Sequence, residues 1–572
     1  MKPSIALAAA LALAPVTSSC AAPATAGQTL EMLDQRVPGW MEQARIPAVA
    51  IAVIRDGELA GTRVYGDRAP GIPADDRTVF NVASLTKPAF SMMAMKLVAD
   101  GQLGLDAPLH EYWVDPDVAD DARHLQLTPR LVMSHQTGFQ NWRGSNELAF
   151  SFAPGDRHEY SGEGFEYLRR ALEKKSGLSM PALMREHLLE PAGFEASFGW
   201  SDDIADRVAT GYDEAGEPLD MHLRQRNANA AANMLATVSD YGRFIAWVGN
   251  GGALPAATFT EVQRPQAQHA NPSEAFGLGW KLVREHGKTT ALWHDGRESG
   301  VRTMALLRPG ERDGVVVLTN SSNGELIMRK VLEASVPQGD AIARQMDRDV
   351  WRYLHSLPGP QLGQMLGAIV RSPAYMSLMM HAVDTNLVQR SGLEARHKRA
   401  AAEAIDEFAL AMLHGRIETS QAEALISIAL RIEQGIPSLR SELSNEQAQA
   451  WTTLLVSPAA STAAPAVADN GDQPPAAVRP TVAVPEEILV RYAGNYLVPS
   501  SQLPIAITVQ DGRLIATAPD TPATTFHAAS ETLFFMKESA TDFEFQLGED
   551  GDVTGIRIIW DGNRSEIAAR VP

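Results

Sequence analysis

Residues 80–105 read FNVASLTKPAFSMMAMKLVADGQLGL. From Ser84 to Gln102 this stretch predicts a helix, on which Phe90, Met92, Met93, Met95, Leu97 and Val98 leave little polar surface. A helix that is apolar on nearly all sides belongs inside a core, and its methionines read as packing. At its start Ser84 and Lys87 lie three residues apart. That spacing puts hydroxyl and amine on one face, within hydrogen-bonding reach. Burial strips solvation from an ammonium and lowers its pKa, so the neutral amine can accept a serine proton. The helix N-terminus adds partial positive charge and free N–H groups where an oxyanion would form. Pro88 cannot donate to the Ser84 carbonyl, which loosens the first turn. Alone the Ser-x-x-Lys pattern is weak, since roughly one chance match is expected in a chain this long.

Working outward, Leu30–Gln43 predicts a helix ahead of the apolar run Val49–Ile54. That run turns at Asp56-Gly57 and continues from Leu59 to Tyr65, the pattern of a β-hairpin. Downstream, Thr128 and Pro129 mark the N-cap and first position of a short helix to Ser134. Further helices are predicted over Gly164–Lys175 and Asn229–Trp247. Strands follow at Gly279–Glu285, Thr303–Leu307 and Gly314–Leu318, then a helix over Glu325–Ala334. Strands at both ends with helices between predict one sheet assembled from distant segments, in an α/β or α+β domain.

From about Asp340 to Ser457 helical spacing dominates, as in Ile342, Met346, Val350 and Leu354, and again in Leu425, Ile428, Ala429 and Ile432. Ser444 and Gln447 form a capping-box start. Residues 456–486 are rich in Ala and Pro and aperiodic, the composition of a semi-rigid linker. Beyond them alternation returns in Ile505, Ile507 and Val509, in Phe543, Phe545 and Leu547, and in Ile556, Ile558 and Trp560. Each run ends near an Asp-Gly turn, which predicts a small antiparallel barrel or sandwich.

The chain has 572 residues, a prior of three or four domains, and an ordinary 45% hydrophobic and 21% charged content. Its net charge of −19 disfavours a nucleic-acid partner, because an acidic surface repels phosphate backbones. The single cysteine, Cys20, excludes an intrachain disulfide framework, a cysteine-held zinc and an iron–sulfur cluster. Lys2, the apolar run Ile5–Ala14 and the small residues after Pro15 read as a secretory leader over residues 1–26, too short to span a bilayer. Two processing sites compete. Ala24-Thr25-Ala26 before Gly27 suits soluble periplasmic export and is the preferred reading. Val16-Thr17-Ser18-Ser19-Cys20 is a weak lipobox that would leave a lipid anchor on Cys20.

Other chemistries lack an anchor. No Gly-x-Ser-x-Gly elbow, His-Glu-x-x-His pair, phosphate loop or dinucleotide fingerprint occurs. The Asp-Gly pairs are turns without the spaced carboxylates of a calcium loop. No metal or cofactor is expected, and His135 and His158 read as structural.

With its surroundings, the Ser84 region resembles the nucleophile segment of the serine β-lactamase and penicillin-binding-protein superfamily, above all its class C-like, S12-peptidase-type branch. Leu131-Val-Met-Ser-His-Gln-Thr-Gly138 is similar to that branch's Leu-Leu-Ser-His-x-x-Gly segment. Pro154-Gly-Asp-Arg-His-Glu-Tyr-Ser-Gly162 resembles its Tyr-Ser-Asn segment. Trp293-His-Asp-Gly296, with Gly300 and the Val-rich run ending Leu318-Thr-Asn320, is similar to its third motif. The last 85 or so residues resemble a lipocalin-like barrel appended to some members, on Tyr492–Tyr496, Asp511–Leu514 and Gly562–Arg570.

The resemblance implies an α+β catalytic domain, with an antiparallel sheet flanked by a helical region. A helical segment and a small antiparallel β-barrel would follow. The expected divisions are leader 1–26, catalytic domain 27–336, helical segment 337–455, linker 456–486 and barrel 487–572. It implies Ser84 as nucleophile, Lys87 as its base, and Tyr160 as the proton shuttle to the leaving group. A phenol titrates near 10, so Tyr160 would need cations such as Lys87 or protonated His294 nearby. Backbone N–H groups of Ser84 and Arg297 would form the oxyanion hole, with Gly162 and Gly296 at the substrate.

Two departures from the pattern stand out. The triplet usually ends in Asn, whose amide holds the substrate's amide side chain, but here it ends in Gly162. The third motif usually begins with Lys, but here His294 stands, a cation only at lower pH. Arg297 and Arg302 read as solvated-face arginines.

The implied activity is that of an exported serine hydrolase forming an acyl-enzyme at Ser84. Its substrates would be amides or esters, small molecules or short peptides, including D-amino-acid peptides of the DD-peptidase and β-lactamase type. Two rival readings stand beside it: a carboxylesterase on the same fold, and a non-catalytic penicillin-binding or sensing protein.

Overall fold

Every residue from Ala48 to Ile54 is fully buried, because the strand that carries them has helices on both sides. A computed structural model of the chain describes residues 24–143, 147–219, 226–268, 275–356, 369, 372–391, 405–416, 482, 484–498, 503–510, 512–517, 524–536, 542–548, 552–560 and 564–571. In it a nine-stranded sheet is built from β1 (Ala48–Arg55), β2 (Glu58–Ala69), β3 (Ile72–Pro73), β4 (Ala267–Gln268), β5 (Ala275–Phe276), β6 (Lys281–Glu285), β7 (Lys288–Glu298), β8 (Val301–Arg308) and β9 (Asp313–Thr319). Their order is β3-β2-β1-β9-β8-β7-β6-β5-β4, and every pairing is antiparallel.

Burial on both faces explains why β1 reads as a continuous apolar run. Ala48, Ala50, Ala52 and Ile54 join the core around Phe90, Met92, Met93 and Met95 of the nucleophile helix. Val49, Ile51 and Val53 face Leu33 and Val37 of the first helix and Ile327 and Val331 of the helix Glu325–Ser335. The hairpin from β1 to β2 turns through Asp56 and Gly57, both with positive φ, the requirement of a type I′ turn.

Most predicted elements are observed, with three informative differences. The first helix runs Ala26–Ala44, and Thr25 caps it through a reciprocal pair with Gln28. Residues 229–237 are not helical: Met234–Ala236 is a strand, and Thr237 caps the helix Val238–Gly249 by accepting from the Asp240 N–H. The long strand β7 was not predicted as an element, because Thr289 to Glu298 mixes polar and apolar residues without clean alternation.

Behind the sheet, the helices Gly339–Ser356, Pro373–Ser391 and 405–413 pack over the helix Glu325–Ser335, and Gly339–Ser356 also reaches β6, with Ile342, Ala343 and Ala409 in the same core as Val49 and Ile51. Arg329 pairs with the buried Asp347 at 2.6 and 2.7 Å, and Thr385 donates to Asp347 at 2.8 Å. The leader with Cys20, the Leu425–Ile432 pattern, the Ser444–Gln447 cap and residues 456–481 lie outside the described residues.

The C-terminal unit is a closed antiparallel barrel of eight strands, from Gly494–Val498 to Arg564–Val571. Its interior is packed by Tyr496, Leu514, Phe526, Phe543, Phe545 and Ile556, and the short helix Glu486–Tyr492 adds Leu489 and Tyr492.

Candidate active site

Ser84 sits in a single 3₁₀ turn, Ala83–Leu85, that leads into the helix Thr86–Ala99. Ala83 just before it holds a left-handed φ of +49°, a conformation costing on the order of 1 kcal/mol for a residue with a Cβ. Its surroundings impose that conformation. The Ala83 N–H donates to Asn81 Oδ1 at 2.7 Å, and Thr86 Oγ1 donates to the Ala83 carbonyl at 2.7 Å. Thr303 Oγ1 on β8 donates to the Val82 carbonyl at 2.9 Å. Phe80-Asn81 also pairs with Met234–Ala236, which brings residues 231–236 beside the turn.

Lys87 is buried, with Nζ 3.2 Å from Ser84 Oγ and 3.0 Å from the Ala231 carbonyl. The Ala231 loop is held in turn: Asn229 Oδ1 accepts its N–H, and Glu166 Oε1 accepts from Ala230. Nζ also lies 4.5 Å from the centre of the Tyr160 ring. Burial pulls the Lys87 pKa down to about 7, against Glu298 and Asp295, whose charges raise it. Near neutrality the amine is therefore substantially unprotonated, and its lone pair can take the Ser84 proton while an N–H donates to Ala231.

Tyr160 is positioned by His135. The His135 ring stacks on Tyr160 with centroids 4.2 Å apart, and Nδ1 accepts the Ser161 N–H at 3.0 Å. Burial holds His135 well below its ordinary pKa, so the imidazole is neutral and can serve as that acceptor. The sequence reading made His135 structural, and its part in aiming Tyr160 is the main site contact it missed. Its place in the Ser-His segment was the available signal.

His294 lies on β7, buried, with its ring centroid 6.1 Å from that of Tyr160. Nδ1 donates to the Asp295 carbonyl at 2.6 Å, leaving Nε2 as a bare lone pair. Burial, aided by the charge of Lys281, lowers its pKa to about 3. At neutral pH His294 is thus an acceptor, and the window in which it could act as a cation lies far lower than expected. Asp295 is held well below the usual carboxylate range: burial opposes this, but Lys281, at 2.6 Å, and Arg297 outweigh it.

Gly296 makes the close approach of β7 to the serine turn possible. A Cβ there would stand 2.2 Å from Thr303 Oγ1, 2.6 Å from the Val82 carbonyl and 3.0 Å from Ala83 Cβ. Beyond Trp293, β7 has no partner on its β6 side among the described residues. Residues 294–298 continue β7 past the end of its ladder with β6 and run beside the serine turn, pairing with β8 on their other side. The side chains of Arg297 and Arg302 are not on a solvated face. Both are mostly buried and engage Glu325, and Arg297 also donates to the Tyr375 hydroxyl at 3.2 Å.

Gly162 begins the helix Gly162–Ser176, capped by Ser161, and lies under the indole of Trp142. The fold thus gathers Ser84, Lys87, Tyr160, His294 and Gly296 from widely separated segments of the chain.

Two family models match the chain. The family described as Beta-lactamase matches residues 33–336, more than half of the chain. A domain of unknown function, DUF3471, matches residues 478–567. The chain is 27% identical over 248 residues to esterase EstB of Burkholderia gladioli, a match covering 38% of this chain and 61% of the esterase. It is 26% identical over 322 residues to penicillin-binding protein 4 of Amycolatopsis lactamdurans, covering 50% and 84%. It is 28% identical over 315 residues to the D-alanyl-D-alanine-carboxypeptidase/endopeptidase AmpH of Escherichia coli strain K12, covering 47% and 78%.

Proposed function

The chain belongs to the beta-lactamase family, and we propose that it is an exported serine hydrolase that cleaves carboxylic esters through an acyl-enzyme at Ser84. The observation that carries this reading is the buried Lys87 amine, 3.2 Å from Ser84 Oγ and poised near pKa 7. In the first step neutral Lys87 takes the Ser84 proton as Oγ bonds to the carbonyl carbon. The carbonyl electron pair moves onto oxygen, where the N–H groups of Ser84 and Arg297 stabilise it. Collapse of this intermediate breaks the bond to the leaving group, which receives the proton through Tyr160. Water, deprotonated along the same route, then releases the acid and restores Ser84.

Two features favour esters over D-alanyl peptides or β-lactams. His294 is uncharged at neutral pH, so it offers no cation for the terminal carboxylate of such a peptide. Gly162 offers no amide to hold a substrate's amide side chain. One of the relatives is itself named as an esterase.

Export through the leader at residues 1–26 is part of this reading. Processing at Cys20 would retain Thr25, the cap of the first helix, whereas cleavage after Ala26 would remove it.

The test uses purified protein and its Ser84→Ala variant against p-nitrophenyl butyrate, a D-alanyl nitroanilide and a chromogenic cephalosporin. The expected result is turnover of the ester with labelling of Ser84 by a fluorophosphonate, both lost in Ser84→Ala. Ester turnover that survives Ser84→Ala would overturn the nucleophile. Binding of a penicillin without any turnover would support the sensing alternative instead.

A further inference from the structure

Gly162 lies two residues beyond Tyr160, and the space its side chain would claim is already filled. A Cβ built there would meet Trp142 Cη2 at 2.5 Å, Cζ2 at 2.6 Å and Cε2 at 2.9 Å. Any residue larger than glycine at 162 would displace the edge of the indole's six-membered ring. Where the triplet pattern has an amide, this chain has an aromatic ring contributed from 20 residues earlier.

Trp142 is 40% exposed, yet its backbone is tightly fixed. On one side, Asn141 accepts the Gly162 N–H on its side chain at 2.8 Å and the Glu163 N–H on its carbonyl at 2.9 Å. On the other, the Arg143 N–H and Nε donate to the two Glu163 carboxylate oxygens at 3.1 and 3.0 Å. The Arg143 guanidinium also pairs with Asp115 and Asp117, each at 2.7 Å. Residues 141–143 are therefore bolted to the start of the helix that carries the Tyr160 segment. A firmly held aromatic face, 40% exposed and seated over Gly162 two residues from Tyr160, is pre-organised to bind an apolar group, because little ordering remains to be done on binding.

We propose that Trp142 is the acyl-specificity residue of this enzyme: its indole, seated over Gly162, binds an apolar acyl group, phenylacyl or medium-chain alkanoyl, of the ester substrate. This rests on the reading of Ser84 as the acylated nucleophile. Each methylene taken from water against the indole is worth roughly fourfold in transition-state binding. Acyl groups long enough to cover the ring are therefore preferred over acetyl.

The experiment compares wild type, Trp142→Phe, Trp142→Ala and Trp142→Ala/Gly162→Asn on p-nitrophenyl acetate, butyrate, octanoate and phenylacetate. Wild type is expected to favour phenylacetate and octanoate over acetate in kcat/KM. In Trp142→Ala the phenylacetate-to-acetate ratio falls at least about tenfold, the scale of losing two methylenes' worth of burial, and Trp142→Phe restores part of it. The double variant, where the ring no longer blocks residue 162, gains turnover of an amide-bearing cephalosporin relative to phenylacetate. Labelling of Ser84 by a fluorophosphonate and a thermal melt are recorded for every variant. A folded, labelled Trp142→Ala protein whose acyl preference parallels wild type overturns this inference while leaving the serine mechanism intact. A folded wild type that is neither labelled nor active overturns the mechanism, and the inference with it.

Discussion

The amine of Lys87 lies 3.2 Å from the hydroxyl of Ser84 and 3.0 Å from the carbonyl of Ala231, with the lysine 1% exposed. Burial brings its pKa to about 7, and only the neutral amine can accept a proton. The kcat/KM for a p-nitrophenyl ester should therefore rise with pH through about 7 and level off above it. Lys87→Arg keeps a permanent charge, so it should lose the rising limb and at least about a hundredfold in rate. A wild-type profile that is flat from pH 5.5 to 9 would remove Lys87 as the base.

His135→Ala should weaken both fold and reaction, because the buried Ser161 N–H loses its acceptor and Tyr160 loses its stacking partner. The unpaired donor alone costs about 1–3 kcal/mol, readable as a lower urea midpoint. His135→Phe keeps a ring against Tyr160, so it should lose less stability than His135→Ala. Equal midpoints for the two variants would show that the stack contributes nothing.

Gly296→Ala tests the approach of β7 to the serine turn. The added methyl would press on Thr303 Oγ1 and the Val82 carbonyl, so the strand must retreat. A shift of this kind costs on the order of a hundredfold in kcat/KM, with the thermal midpoint changed far less. Wild-type kinetics in this variant would mean that the oxyanion hole does not depend on that approach.

His294 gives a stability prediction whose sign follows from its depressed pKa of about 3. Between that value and the ordinary histidine pKa the unfolded chain binds a proton that the native state does not. Native stability is therefore lost as pH falls through this window. In His294→Gln the decline in unfolding free energy from pH 6 to 4, measured by urea titration, should be shallower. An identical slope would place the ring in contact with solvent.

Asp347→Ala should loosen the helices behind the sheet. It would leave Arg329 Nη1 without the two carboxylate oxygens that accept from it, with Glu333 still on Nε, and Thr385 without its acceptor. Breaking such a pair costs about 3 kcal/mol, measurable as reduced stability in denaturant. A denaturation midpoint indistinguishable from wild type would show that this pair does not hold the helical segment in place.

The hairpin at Asp56-Gly57, the Thr128–Pro129 helix start and the barrel strands were readable because each depends on residues within a few positions of one another. The helix predicted over Asn229–Trp247 failed in its first third for the opposite reason. Met234–Ala236 is a strand because Phe80-Asn81, from a much earlier part of the chain, supplies its partner. Pairing at that distance leaves no local trace. What His135 supports escaped the sequence for the same cause: a histidine beside a serine says nothing of the ring of Tyr160, which reaches it from a later segment.

The sequence by itself determined which chemistry was available: a serine and a lysine one helical turn apart, a tyrosine triplet, a third motif, and no thiol scaffold. It also determined that the helix bearing the pair is buried, since its residues are apolar on nearly every side. Only the tertiary structure decided the states of those groups. Lys87 titrates near 7 and His294 near 3 because of what buries and surrounds them, and desolvation is a property of the assembled core. The same holds for Gly162. In sequence it is a missing side chain; in the fold it is the floor on which Trp142 rests, because packing brings together volumes that chain order keeps apart.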